Sequence, residues 1–380
     1  MKILLLGEFS GVHGSLKDGL EILGHSVTHA GTGDGFKQLA VDLSFDSNLP
    51  SVLGKGVSYL KPHLYREKLA GFDFVQVMNP FLFYRQRFPA WINNLYHHVL
   101  YRFLKTNNGP MFLLAAGSDG YFWRNTPKYM RYSPHRDEVK YDFRGRSHPL
   151  ETNAAFEFNE NLLDWFEGVI PTHFEYEVAY AGEDKLLKAI PSPITTDKIT
   201  TAWPFKREGI NVFHGLNRYG FKGTHHVEGA FDIISEKRSD ISTSIEGRMP
   251  LKQYLELMKR MDVVIDQTNT YSQGVNGLFA MAMGKIVFGG AEPEALACLG
   301  MGESPAVNIL PDKNDIVEKL MSVLDEQNRL EERSFASRQF VEQFHDSKKV
   351  AQDFVDVWQN PNKHKNKHKI LADGGYLNAV

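Results

Sequence analysis

The stretch from Val263 to Val287 constrains the fold more than any other part of the chain. Val263-Val264-Ile265-Asp266-Gln267 reads as a strand, Gly274-Val275-Asn276-Gly277 as a glycine loop, and Leu278 to Met283 as a helix. Gly284 then punctuates the return to the apolar Ile286-Val287. A glycine loop leaves backbone N–H groups free at a helix N-terminus, where hydrogen bonds and aligned peptide dipoles both favour phosphate oxygens. The pattern therefore suggests a nucleotide or nucleotide-sugar pocket, although phosphate-free α/β domains use similar loops.

At 380 residues the chain exceeds the usual size of a single hydrophobic core, so two substantial α/β domains with a cleft between them are expected. A formal charge of -3 gives no global reason to expect a nucleic-acid partner. The single Cys298 excludes an intrachain disulfide and a cysteine-rich metal site, and fits a reducing compartment. Met1 to Gly7 reads as a first buried strand rather than a signal peptide. No apolar run reaches the length of about 18 residues that a membrane span needs, so membrane association would be peripheral.

Apolar runs over 2–6, 25–30, 72–78 and 111–116 read as buried strands, with a helix over 15–23 that gathers Leu16, Leu20 and Leu23. Gly7 to Gly14 lacks the GxGxxG spacing of a dinucleotide fold, which weakens a dehydrogenase reading. Asp119 and His173 each follow a strand-like run, where side chains can enter a cleft. Residues 121–152 are expected to form a polar insertion, and Pro191-Ser192-Pro193 marks an interdomain connection. A second set of strands begins at Ile210, with a helix from Thr224 capped by that threonine. The expected organisation is thus an N-terminal Rossmann-like domain over 1–190, a linker over 191–209 and a C-terminal Rossmann-like domain over 210–334. One amphipathic helix over 335–358 crosses back to the first domain, and a mobile tail follows over 359–380.

Val212 to Thr224, taken with Asp266-Gln267 and Gly274 to Lys285, resembles the GT-B glycosyltransferases, particularly the large retaining, family-4-like group of bacterial polysaccharide and lipopolysaccharide sugar transferases. The resemblance extends over roughly residues 1–358. It implies an α/β fold of two facing Rossmann-like domains with an interdomain cleft, the donor held mainly by the C-terminal domain. Arg218 and Lys222 correspond to the basic pair that grips the donor diphosphate, a role suited to a bidentate guanidinium and a compact ammonium. Gly223 would allow close approach, and Thr224 would cap its helix or donate to phosphate. His214 and Gly215 would shape the donor pocket. Asp266, Gln267, Gln273, Gly274, Val275, Asn276, Gly277 and Glu294 would contact nucleotide or sugar. The family's ribose-binding carboxylate is replaced by Phe279 and its companion acid by Tyr271, so another group must serve there or the nucleotide site is degraded.

On the acceptor side, His13 lies in the position of the first substrate-facing loop. Asp119 would orient an acceptor hydroxyl or serve as a local cap, and His173 would accept a proton or act structurally. The catalytic set is thus Asp119, His173, Arg218 and Lys222. His225-His226 lacks the spacing of a helical ligand pair and has no carboxylate-cysteine set near it in sequence, so no metal is expected. No cofactor is expected either, the nucleotide sugar being a co-substrate. The implied function is transfer of a sugar from a nucleoside-diphosphate sugar to a glycan or lipid-linked acceptor in cell-surface polysaccharide synthesis. The implied location is cytoplasmic, with peripheral contact at the inner face of a membrane as the compatible alternative. A noncatalytic nucleotide-sugar or carbohydrate binding protein is the second reading, and a sugar-nucleotide epimerase the third.

Overall fold

The computed structural model describes residues 1–47, 49, 51–86, 88–202, 209–370 and 376–378. Residues 203–208 of the expected linker, and 371–375 and 379–380 of the expected tail, lie outside the described residues.

Strands buried on both faces must be apolar along their whole length, and that is how Ile3 to Leu6 and Met111 to Ala115 are used. β1 (Lys2–Leu6), β2 (Ser26–Gly31), β3 (Leu43–Ser44), β4 (Phe74–Met78), β5 (Met111–Ala115) and β6 (Gly168–Pro171) form a six-stranded parallel sheet in the order β3-β2-β1-β4-β5-β6. β7 (Ile210–Leu216), β8 (Ile241–Gly247), β9 (Val263–Ile265), β10 (Ile286–Gly289) and β11 (Val307–Asn308) form a five-stranded parallel sheet in the order β11-β10-β9-β7-β8. Strand order reverses between β1 and β4 in the first sheet and between β7 and β9 in the second. In open parallel sheets such switch points open a crevice at the carboxyl ends of the strands, where ligands commonly bind.

The C-terminal region differs from the expected single helix. It forms one helix over Leu330–Phe344 and a second over Ser347–Gln359. Asp346 starts the second by accepting from the backbone N–H of Lys348 and Lys349, both at 3.2 Å, so the break is an N-cap rather than a glycine or proline interruption. The first helix places Phe340 and Val341 in the core of the second sheet, whereas Val350, Phe354 and Trp358 of the other join Ile3, Leu5 and Leu16 against the first. Gly19 makes that contact possible, because a Cβ there would lie 2.0 Å from the Ser347 carbonyl oxygen. The expected mobile tail is also ordered at its start: Lys188 N–H donates to the His364 carbonyl at 2.8 Å and Asn366 N–H to that of Leu186 at 3.0 Å.

The polar insertion crosses to the second sheet. After a helix over Gly120–Tyr129, a short helix at His135–Asp137 runs into a π turn over Glu138–Asp142. The backbone N–H groups of Gly220 and Phe221 donate to Asp142 Oδ2 at 3.0 and 3.1 Å, and Asn269 Nδ2 donates to Asp137 Oδ2 at 3.0 Å. Gly220 is indispensable to this seating, since a Cβ would stand 2.2 Å from the Asp137 carbonyl oxygen. No helix among the described residues is long and apolar enough to cross a membrane.

Candidate functional site

The switch-point loops of both sheets converge on a cavity of about 520 Å³. On the first-domain side, Ser10, Asp34, Lys37 and Asn79 line it. Lys37 Nζ donates to Asp34 Oδ2 at 2.6 Å and to Ser10 Oγ at 2.8 Å, and Ser10 N–H donates to the same Asp34 oxygen at 2.8 Å. Ser10, Asp34 and Asn79 adopt φ of 58°, 53° and 63°, so left-handed backbone is concentrated at this wall. Non-glycine residues hold that conformation only where surrounding contacts impose it, a frequent property of ligand sites.

On the second-domain side, Arg218, Lys222, Asp266, Gln267, Gly274, Val275 and Asn276 line the cavity. Lys222 Nζ donates to Asp266 Oδ1 at 2.9 Å, and Gly274 N–H donates to Asp266 Oδ2 at 2.8 Å. One buried carboxylate therefore ties the loop after β7 to the entry of the Val275–Ala282 helix. Gln267 Nε2 donates to the Ser272 carbonyl at 3.2 Å and braces the same loop. The Arg218 guanidinium lies 3.6 Å from the Phe221 ring centroid and donates to Glu138 Oε1 at 3.2 Å. Burial pushes the Glu138 carboxyl above its usual range, and Arg218 opposes that rise.

His173 and Glu175 enter from the first domain. Burial holds the His173 imidazole below its ordinary value while Glu175 and Asp266 draw it upward, which keeps the ring neutral near pH 7. Its Nε2 lies 3.4 Å from Ser192 Oγ. Glu175 was not anticipated from the sequence, and it reaches across the cleft. Its Oε1 accepts from the N–H groups of Tyr271 and Ser272 at 2.7 and 2.8 Å, and its Oε2 accepts from Ser272 Oγ at 2.7 Å. The nearby Tyr176 hydroxyl is pushed up to about 12 by burial, with the Glu175 charge adding to the rise.

Several expected site residues sit elsewhere. Asp119 is fully buried as the N-cap of Gly120–Tyr129, its Oδ1 accepting from Phe122 N–H at 2.8 Å and its Oδ2 from the Tyr180 hydroxyl at 2.7 Å. It does not line the cavity, so its carboxylate shapes a loop and meets no acceptor there. His13 lies inside the Val12–Ile22 helix rather than on a substrate-facing loop, with Nδ1 2.8 Å from the Gly7 carbonyl and Nε2 3.2 Å from Gln76 Nε2. His214 is buried, bridging the Ile265 carbonyl and the Thr224 hydroxyl at 2.9 Å each. With its proton donated to His214 the Thr224 hydroxyl has none for phosphate, and the N-cap position belongs to Gly223 at φ 68°. Gly215 packs on Tyr254, and Gly223 on Thr268. Gln273 is wedged between Gly277 and Gly289 with both carboxamide atoms buried and unpartnered. Glu294 joins Glu292 in ion pairs to Arg131 of the insertion, away from the cavity.

The two positions without the expected carboxylates are filled by interdomain packing. The Tyr271 ring stacks on Phe174 with centroids 5.3 Å apart, and its hydroxyl accepts from Arg131 N–H at 2.6 Å. Phe279 is buried with its ring facing Gly11, where an added Cβ would lie 3.7 Å from Cζ. The sequence signal for Glu175 was its place two residues beyond His173 at a strand end.

Two parallel Rossmann-like sheets joined across such a cleft define the GT-B fold of glycosyltransferases, and this chain has it. No family model matches the sequence, and no curated protein does. Among solved structures, HepE of Anabaena in complex with UDP and glucose is similar at 13% identity and a TM-score of 0.59, over 95% of this chain and 100% of that one. Sucrose-phosphate synthase of Thermosynechococcus elongatus is similar at 12% identity and a TM-score of 0.60, over 96% of this chain and 99% of that one. A Listeria monocytogenes structure assigned as a UDP-N-acetylglucosamine 2-epimerase is similar at 10% identity and a TM-score of 0.54, over 98% of each chain.

Proposed function

We propose that the protein is a glycosyltransferase that moves a hexose-like sugar from a nucleoside-diphosphate sugar to a hydroxyl of a glycan or lipid-linked acceptor, with retention at the anomeric carbon by resemblance. The observation that carries this reading is the convergence of Arg218, Lys222 and the glycine-led Val275 helix entry on one interdomain cavity. The diphosphate would lie between the two cations and the free N–H groups of that entry. As the bond from the anomeric carbon to phosphate breaks, negative charge grows on the diphosphate, where fixed donors stabilise it most effectively. The acceptor oxygen bonds to the anomeric carbon, and its proton leaves to the departing phosphate. Neutral His173 on the opposite wall would donate to or accept from the sugar or the acceptor hydroxyl.

Tyr271 and Phe279 favour one second reading, a nucleotide-sugar binding protein without transfer, since neither side chain supplies a ribose-binding carboxylate. Incubation with a panel of nucleotide sugars and acceptors, read by mass spectrometry, separates the two. Glycosylated acceptor is expected, and Arg218→Ala should lower turnover about 100-fold, the order lost with one transition-state donor. Saturable donor binding without product would support the second reading, and an epimerised donor without acceptor dependence would overturn both. Full turnover in Arg218→Ala would refute its place on the diphosphate.

A further inference from the structure

We propose that Asp137, His225 and His226 form a site for a divalent transition-metal ion of the zinc class, which staples the insertion to the second domain beside the cleft. The two histidines begin the Thr224–Lys237 helix, and the carboxylate arrives from the insertion, 88 positions earlier than His225 in the chain. Their ligand atoms all lie within 4.8 Å of one another. His225 Nε2 and His226 Nε2 each stand 3.7 Å from Asp137 Oδ2, too far for a hydrogen bond. Tetrahedral zinc bonds of roughly 2.0–2.1 Å separate ligand atoms by about 3.3–3.4 Å, so each histidine need approach Asp137 by only a few tenths of an ångström, and side-chain rotation brings the two imidazole nitrogens together from within 4.8 Å.

The surroundings are those of a built site. Asn269 Nδ2 donates to Asp137 Oδ2 at 3.0 Å, which orients the carboxylate as outer partners of metal ligands do. The Tyr141 ring covers the His225 ring with centroids 4.6 Å apart. Gly220 and Asp142 fix the insertion backbone independently of any ion, through the close approach and paired N–H donors described above. Two imidazoles and one carboxylate suit zinc, cobalt or nickel better than magnesium or calcium, which prefer all-oxygen shells. The ion would act on closure and leave the transfer chemistry to the cavity, since none of its three ligands lines that cavity.

The test uses the full-length chain without an affinity tag, stripped with a chelator and dialysed, and needs no turnover. Titration with cobalt chloride, followed by visible absorption, and with zinc chloride, followed by calorimetry, should give one ion per chain. Zinc should also raise the melting temperature and slow proteolysis within residues 131–148. In Asp137→Asn and His226→Gln, affinity should fall by more than the roughly 10- to 100-fold that an outer-shell partner costs. Circular dichroism identifies a variant that misfolds, and the other variant then decides. Undiminished binding in a folded variant would place the metal elsewhere, such as the His364 and His368 region, and would overturn the proposal. So would the absence of saturable binding, or equal binding of magnesium.

Discussion

Breaking the Lys222–Asp266 pair should reveal whether the donor-side cation is also a structural element. Lys222→Met keeps the aliphatic stem and removes the ammonium, leaving Asp266 fully buried with one of its two charge-assisted donors gone. Removing one member of a buried ion pair costs about 3–5 kcal/mol, and the surviving Gly274 N–H bond sets the expectation near the lower end, about 3 kcal/mol. Asp266→Asn should cost about as much or more, because a buried ammonium then faces a neutral carboxamide. The double variant removes both charges, and its carboxamide oxygen still accepts from Gly274, so it should lose only about 1–2 kcal/mol. Urea unfolding followed by circular dichroism gives the three values, and hydrogen exchange over 263–287 localises the loss. A coupling energy of at least about 3 kcal/mol is expected. Additive effects, or a single-variant cost below about 1 kcal/mol, would refute the pairing argument. The folded double variant should still fail to bind nucleoside diphosphate, which separates the phosphate role from the structural one.

Two further outcomes follow from the packing and the buried acids. Burial raises the Asp119 carboxyl from 3.8 to about 6, so the folded state keeps a proton that the unfolded state releases. Stability from this group is greatest below about pH 4 and is lost as pH rises to about 6, a change worth about 3 kcal/mol. The difference between wild-type and Asp119→Asn unfolding energies should trace that slope, and a difference that is flat from pH 4 to 6 would contradict it. Glu8, pushed up to about 7 by burial, is present in both proteins and cancels in the difference. Gly19→Ala should push the Ser347–Gln359 helix off the first domain, costing at least about 1–3 kcal/mol of stability by overpacking and exposing amides of 347–359 to exchange. Unchanged exchange there would show that the helix does not depend on the close approach at Gly19.

The sequence revealed what short-range periodicity encodes. Continuous apolar runs at Ile3–Leu6, Met111–Ala115 and Val263–Ile265 could only be strands buried on both faces, and the glycines around them marked the loops that line the cavity. His173, Asp266 and Gln267 were legible as residues at strand ends, Gly274 to Asn276 as a glycine loop before a helix, and Arg218 and Lys222 only through resemblance; all of them line one cavity. Asp119 was readable as a cap, yet an acid after an apolar strand looks the same whether it turns inward to cap or outward to bind. Thr224 failed similarly, since nothing nearby announces that His214, ten positions away, claims its hydroxyl. Contacts of Asp137, Glu138 and Asp142 with the second domain span 78 to 132 positions, and no local pattern encodes them. Spacing alone was equally blind to Asp137 beside His225-His226, because metal spacing rules describe ligands close in sequence.

Glu175 belongs to one domain and holds a loop of the other, so the shape of the Tyr271–Ser272 loop is a function of the distance between the domains. When the halves part, the amides of Tyr271 and Ser272 lose their anion and the loop is free to relax. Shape and separation thus become one variable, as in a lock whose wards are cut on two plates. A severed C-terminal half would carry Arg218 and Lys222 and still lack a formed loop. Such a device answers only to a conjunction, in which the second domain supplies the cations and the first supplies permission.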